Sequence, residues 1–226
     1  MTLDLSEPNI VAAVSEDAPR KAREASEAGA DAVEIRIDMY DEVDAALADV
    51  RDCDALPVIV TNRPTDEQTE DERVKTLVEA TRHAEAVDID VSSPDESIER
   101  VVEAARDNDV TVIASHHDFE GTPPKDEMRR NLERGWEVGD VAKLAVTAET
   151  RRDAHRLLEL TLDAPEEESD GHVATMAMGA LGSHTRVVAP LYGSCLTYAS
   201  FGEGTAPGQL SVREVRETLD RLTPEP

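Results

Sequence analysis

The stretch VTVIASHHDFEGTPPKDEMRRNLERGWEVGDVAKLAVTA, Val110 to Ala148, decides the fold. Its two ends are short apolar runs rich in β-branched residues, and the charged span between them carries its apolar residues at helical spacing. Such runs read as buried strands, and a helix-length span between two of them supplies the crossover that a parallel pair requires. The same alternation continues outward in both directions. Ile10 to Val14, Ala32 to Asp38, Leu56 to Asn62 and Ala86 to Val91 precede it, and His172 to Gly179 and Arg186 to Gly193 follow it, giving eight strand candidates.

Between the runs the apolar period changes from about 2 to about 3.6. Val43, Leu47 and Val50 share a helix face, as do Ile98, Val101, Val102 and Ala105, and again Val212, Val215, Leu219 and Leu222. Asp41, Asp66, Ser93 with Pro94, and Ser211 stand where helix amino termini need a cap or a first-turn proline. Eight strand and helix repeats in a chain of 226 residues imply a parallel sheet closed as a single-domain (β/α)8 TIM barrel spanning residues 1–226. The alternative is a doubly wound open sheet, weakened because no Gly-x-Gly-x-x-Gly follows the first run. The acidic segment Pro165 to His172 reads as a solvated loop, and the last four residues as a frayed tail.

Asp and Glu number 50 against 23 Lys and Arg, for a formal net charge of −27. That surface repels phosphate backbones and anionic headgroups, so no nucleic acid or membrane partner is expected. Two cysteines, Cys53 and Cys195, make neither a disulfide framework nor a zinc pair. The amino terminus has no basic segment followed by a long apolar run, and no apolar stretch reaches the length of a bilayer span. A soluble cytoplasmic protein is expected.

Of the four lysines, Lys21, Lys75 and Lys125 fall in polar segments, whereas Lys143 sits inside a strand run. Both faces of a barrel strand are dry, and desolvation favours the neutral amine that attacks a carbonyl; ion pairing for purely structural reasons is the competing explanation. His116 and His117 end the preceding strand, at the carboxyl face where barrel active sites lie, and alternation lets only one of the two point inward. Arg36, Arg63 and Arg186 are placed at strands or strand ends rather than on helices. Glu34, Arg36 and Asp38 alternate onto one strand face. Arginines converging near a lysine amine suit a substrate with a carboxylate and a ketone.

In this order Glu34-x-Arg36-x-Asp38, His117-Asp-Phe, Lys143-Leu-Ala-Val, Met178-Gly179, Arg186, Gly193-Ser194 and Ala206-Pro-Gly-Gln209 make a set that resembles the type I 3-dehydroquinate dehydratases over about residues 9–222. The resemblance implies a shikimate-pathway lyase that converts 3-dehydroquinate to 3-dehydroshikimate through a Schiff base, without metal or organic cofactor. It implies Lys143 as the imine-forming residue, His117 rather than His116 as general acid and base, and Glu67 as an assisting carboxylate. Glu34, Arg36, Arg63, Arg186, Thr205 and Gln209 are the implied substrate contacts. Thr205 stands where the family often has serine, and Ala13 occupies a position that holds a substrate-binding serine in some members. The resemblance also implies a homodimer. Other readings of the same residues are a class I aldolase-like barrel acting on phosphorylated sugars and a non-catalytic acidic binding protein. The segment Pro64 to Asp71, polar and next to Arg63, is the expected mobile flap. The acid excess, together with few lysines relative to arginines, is expected of a halophilic, salt-rich cytoplasm, where screening silences distant acids and leaves contact arginines active.

Overall fold

A computed structural model describes residues 2–167, 171–201 and 209–223. Eight parallel strands follow in the order β1 (Asn9–Val14), β2 (Ala32–Arg36), β3 (Val58–Thr61), β4 (Ala86–Asp90), β5 (Thr111–Asp118), β6 (Val141–Thr147), β7 (His172–Met178) and β8 (Leu196–Ser200). From β1 to β7 each strand pairs with the next, and β8 returns to pair with β1. The seam between β7 and β8 is held by a bridge from Val173 to Ser194, by the Cys195 amide donating to the Val173 carbonyl, and by the Ser194 hydroxyl accepting from the Thr175 amide. The result is a nearly closed (β/α)8 TIM barrel, as the strand count requires.

The helices α1 (Ala18–Ala28), α2 (Val43–Asp52), α3 (Glu70–Ala80), α4 (Asp95–Asp107), α5 (Lys125–Val138), α6 (Arg151–Glu167), α7 (Thr185–Val188) and α8 (Val212–Leu222) ring the sheet. The apolar faces read from the sequence are the buried ones: Leu47 and Val50 on α2, Ile98, Val101, Val102 and Ala105 on α4, and Val212, Val215 and Leu219 on α8. Leu222 is exposed. Two amino-terminal assignments shift by a few residues, to Glu42 for α2 and to Thr69 for α3. Thr69 forms a capping box with Glu72, as Ser211 does with Glu214 on α8, each hydroxyl satisfying one of the orphan amides of a helix end.

The eighth expected strand is misplaced. Arg186 to Gly193 is not extended: it forms α7 and a 3-10 turn, Ala189–Tyr192, closed by Gly193 at φ 105°. The true β8 lies three residues further on. Pro190 carries no amide hydrogen for a central ladder, which argued against a strand there, while Leu-Thr-Tyr-Ala-Ser has the alternation of one.

Each strand contributes one apolar side chain to the floor of the barrel: Val11, Ala32, Ile59, Ala86, Ile113, Val141, Ala174 and Leu196. Two residues on, the same inward faces carry Ala13, Glu34, Thr61, Asp88, Ser115, Lys143, Met176 and Tyr198. A dry plug thus closes one end, and polar chemistry begins directly above it.

Candidate active site

Glu34, Arg36, Arg63, His117, Lys143, Arg186 and Gln209 line one pocket at the carboxyl ends of the strands, with Met176, Met178, Ala145, Phe119 and Tyr198 supplying its apolar wall. The cavity measures about 160 Å³. Seven of the nine expected site residues therefore converge. Thr205 lies outside the described residues. Glu67 is exposed on the turn between β3 and α3 and is not part of the lining. The strand face expected to carry Glu34, Arg36 and Asp38 together ends at Arg36: Asp38 stands on a short 3-10 turn, Ile37–Met39, from which it pairs with Arg36.

Lys143, at the middle of β6, is buried, and its Nζ donates to Asp88 Oδ2 at 2.9 Å with Glu34 Oε1 at 3.9 Å. The same nitrogen sits 3.8 Å from the centre of the Tyr198 ring. The ion pairing that the sequence left open is present: Asp88 faces the amine. Asp88 is fully buried and accepts two further hydrogen bonds, from Arg63 Nη2 at 2.8 Å and Ser115 Oγ at 2.6 Å. Burial works to raise its carboxyl, but the positive charges of Arg63 and Lys143 outweigh that and hold it well below the usual carboxylate range. Glu34 accepts from the Thr61 hydroxyl at 2.7 Å.

His117 points inward with Ser115 and Ile113, which settles the choice against His116 by strand parity. Its Nδ1 lies 3.2 Å from Asp90 Oδ2. Burial would raise Asp90, but hydrogen bonds from His117 and Ser92 bring it down to about 2, so this carboxylate only accepts. Nδ1 must then carry the proton, leaving Nε2 as the basic nitrogen. Burial, opposed by the Asp90 hydrogen bond and helped by the charges of Arg63 and Lys143, places the imidazole below its ordinary 6.5. It is a neutral base at neutral pH. The Phe119 ring stacks on it with centroids 5.8 Å apart.

The three arginines are not equivalent. Arg36 is tied to Asp38, and Arg63 to Asp88 and, at 3.4 Å, to Asp90. Burial depresses both guanidiniums, yet their acidic neighbours more than reverse it. Arg186 differs. It is 2% exposed, donates from Nη1 to the Tyr198 carbonyl at 2.9 Å, and makes no ion pair with a carboxylate among the described residues. Its Nε is buried without a hydrogen-bond partner, and burial alone lowers the guanidinium to about 10. An uncompensated buried cation facing a cavity is a place prepared for an anion.

Asp88 and Asp90 escaped the sequence reading, although the alternation Asp88-Ile89-Asp90 at the end of a strand run was a legible signal. Tyr198 and Ser115 carried no such signal, since their role depends on which side chains lie across the barrel. Among the described residues no group of three or more His, Cys, Asp or Glu is placed to hold a metal ion, and no helix is long and apolar enough to cross a membrane. Cys53 and Cys195 are free thiols, both pushed up by burial, to about 11 and about 12.

A buried amine, a neutral imidazole and an unpaired guanidinium around one cavity on a (β/α)8 barrel define the class of enzymes that bind a carbonyl substrate through a lysine. The chain belongs to the type I 3-dehydroquinase family, whose model it matches over residues 9–225. It is 39% identical over 98% of its length to the 3-dehydroquinate dehydratase of Methanococcoides burtonii, covering 97% of that protein. It is also 39% identical to the 3-dehydroquinate dehydratase of Haloquadratum walsbyi, over 86% of this chain and 85% of that one. Among solved structures, the 3-dehydroquinate dehydratase of Geobacillus kaustophilus superposes with a TM-score of 0.88 at 30% identity, covering 96% of this chain and 91% of the other. The type I enzyme of Clostridium difficile, solved with covalently modified comenic acid, gives 0.86 at 29% identity, covering 96% and 92%.

Proposed function

We propose that this chain is a hydro-lyase that dehydrates 3-dehydroquinate to 3-dehydroshikimate, in the shikimate pathway to aromatic amino acids, with Lys143 as the Schiff-base residue. The observation that carries the reading is the meeting of Lys143, His117 and Arg186 in one pocket whose other wall is apolar.

Arg186 takes the substrate carboxylate, with Gln209 lining the same pocket; Glu34, Arg36 and Arg63 receive the hydroxyls, and the Thr205 hydroxyl is a further substrate contact. This fixes the ring so that its ketone meets Lys143 Nζ. The amine adds to the carbonyl carbon, and loss of that oxygen as water leaves a protonated imine. Ammonium and iminium carry the same single positive charge, so Asp88 and the face of Tyr198, already placed against the nitrogen, balance both without rearrangement.

The iminium draws electrons from the adjacent carbon, and His117 Nε2 removes a proton there to give an enamine. The enamine pair then expels the neighbouring hydroxyl, which leaves as water with the proton that His117 returns to it. Water adds to the conjugated iminium and frees the lysine, so that one water is lost overall. Asp90 acts through His117 by fixing its tautomer. Glu67, four residues beyond Arg63, assists when the connection from Pro64 to Thr69 folds over the mouth; Glu70 and Asp71, expected in the same flap, belong to α3.

The aldolase-like alternative is disfavoured by the arrangement of the arginines, since Arg36 and Arg63 already face carboxylates and one unpaired guanidinium suits a carboxylate better than a phosphate. Working as a homodimer in a salt-rich cytoplasm completes the proposal. Borohydride added with 3-dehydroquinate is expected to leave a covalent adduct on Lys143. No adduct, together with undiminished turnover of Lys143→Ala, would sink the assignment.

A further inference from the structure

Two arginines are fully buried among the described residues, Arg186 and Arg73, and the chemistry set out above uses only the first. Arg73 lies at the start of α3, outside the pocket lining, yet every nitrogen of its guanidinium is engaged. Nε and Nη2 grip the Glu70 carboxylate at 3.0 and 2.7 Å, Nη1 donates to the Asn62 carbonyl at 3.1 Å, and Nη2 donates also to the Ser93 hydroxyl at 3.0 Å. A helix pair three residues apart needs only Glu70 and forms equally well in water. Burying the cation is costly, and the contacts to two further segments are what offset that cost.

Each segment that Arg73 joins carries part of the site. Asn62 precedes Arg63, and its side-chain amide donates to Gln68 at 3.1 Å. Glu70 follows Thr69, the last residue of the connection that bears Glu67, so both ends of that connection are fastened to one guanidinium. Ser93 belongs to the turn after β4. Its amide donates to the Asp90 carbonyl, while Ser92 donates from amide and hydroxyl to Asp90 Oδ1 at 2.9 and 2.6 Å, which leaves Oδ2 for His117. The Ser93 hydroxyl, expected at a helix cap, plays no part in one: α4 begins after Pro94 without a side-chain cap.

We infer that Arg73 is a positioning residue for proton transfer, acting through Arg63, through Asp90 and His117, and through the segment bearing Glu67. It touches nothing that holds the imine. Lys143 stands on β6, Arg186 on α7 and Tyr198 on β8, and without Arg73 the Asp88 carboxylate still has Ser115 and Lys143 as partners. Imine formation and proton transfer are thus supported from different parts of the barrel, and Arg73 serves the second. Losing the guanidinium frees three segments to shift against one another, and a displacement of about 1 Å in a reacting group can cost about 10²-fold in rate. This role rests on the Schiff-base dehydratase reading and adds to it the residue that aligns the base.

Turnover and borohydride trapping at saturating 3-dehydroquinate, measured on the same preparations, test it. Arg73→Met is expected to lower kcat by about tenfold to a hundredfold while trapping at least the wild-type fraction of Lys143, because an imine that forms normally and loses its proton slowly accumulates. A purely structural arginine would lower both together, through the fraction of folded sites; that result, or an unchanged kcat, overturns the role. Should Arg73→Met fail to fold, the half-buried Ser93 decides. Ser93→Ala should lower kcat severalfold with trapping intact, and Ser93→Thr, which keeps the hydroxyl, should restore it. Wild-type turnover in Ser93→Ala, or an equal loss in Ser93→Thr, refutes the role and leaves the dehydratase reading standing. A wild type that cannot be trapped removes the Schiff-base reading, and this role with it.

Discussion

Lys143 of β6 reaches across β5 to Asp88 of β4, Nζ to Oδ2 at 2.9 Å, while Ser115 on the strand between them donates to the same carboxylate. Arg63 joins from just beyond β3, so a single buried anion ties three consecutive strands to the end of a fourth at the level where the chemistry begins. Asp88→Asn leaves two buried cations facing a neutral amide. Removing one partner of a buried ion pair costs about 3–5 kcal/mol, and calorimetry is expected to record a loss of that size. Asp88→Asn should also lose Schiff-base formation, measured as a fall in the borohydride-trapped fraction. A variant of native stability that traps substrate normally would remove Asp88 from its place as counter-ion.

Asp90 and His117 make a second pair with a different readout. Burial holds the imidazole below 6.5, so the base form persists into mild acid and the falling limb of kcat/KM must lie below about pH 6.5. Asp90 opposes that displacement through its hydrogen bond. Asp90→Asn should therefore move the limb to still lower pH and reduce kcat, because the tautomer with Nε2 free is no longer enforced. His117→Ala should lower kcat by about 10²–10⁴-fold with the fold intact. A limb that stays in place in Asp90→Asn contradicts the dyad.

The stability of the fold should follow the same carboxylates at acid pH. Asp90 has its folded value depressed to about 2 and Asp88 is depressed as well, so both stabilise the protein above the unfolded carboxylate value near 3.9 and lose that contribution as pH falls through the folded ones. Acid unfolding followed by circular dichroism should take up protons between about pH 4 and pH 2, and Asp90→Asn should flatten the curve across that window.

How much of this was legible beforehand depends on where the information lies. Seven strands were marked by local apolar runs, and the eighth went astray because Val187, Val188 and Ala189 imitate such a run until Pro190 and Gly193 break it. Lys143 could be singled out because an ammonium inside an apolar run conflicts with its surroundings. Asp88 was hidden by the company of Asp90 and by the sheer number of acids: in a chain with 50 of them, one more carboxylate carries little contrast. The unpaired state of Arg186 was beyond reach, since it follows from which side chains stand around it in the barrel rather than from any neighbour in sequence.

That asymmetry among the arginines yields a prediction in which stability and activity part company. The Arg186 guanidinium is desolvated without a compensating carboxylate among the described residues, so its burial strains the empty enzyme and is relieved by an anionic substrate. Arg186→Met should hold or raise the melting temperature while raising KM, with a loss of about 2 kcal/mol or more in binding, or roughly 30-fold. Arg36→Met, which removes a partner from Asp38, should lower the melting temperature. Equal destabilisation by both substitutions would show that Arg186 is a structural ion after all.

The surface poses the opposite problem from the site. A charge of −27 repels an anionic substrate at long range and repels itself within the folded chain, whereas Arg186 acts only at contact. Salt separates the two effects, because at about 1 M the Debye length falls to about 3 Å and exposed acids cease to feel one another, while the buried pairs around Asp88 are screened far less. Folding stability is therefore expected to rise from millimolar to molar KCl, and KM for 3-dehydroquinate to fall over the same range as the long-range barrier disappears. Were the acids merely decorative, both quantities would be flat. A stability that falls with salt would mean that exposed ion pairs such as Arg20 with Glu24 and Arg134 with Asp95 outweigh the self-repulsion, and would overturn the reading of this surface as one suited to a salt-rich cytoplasm.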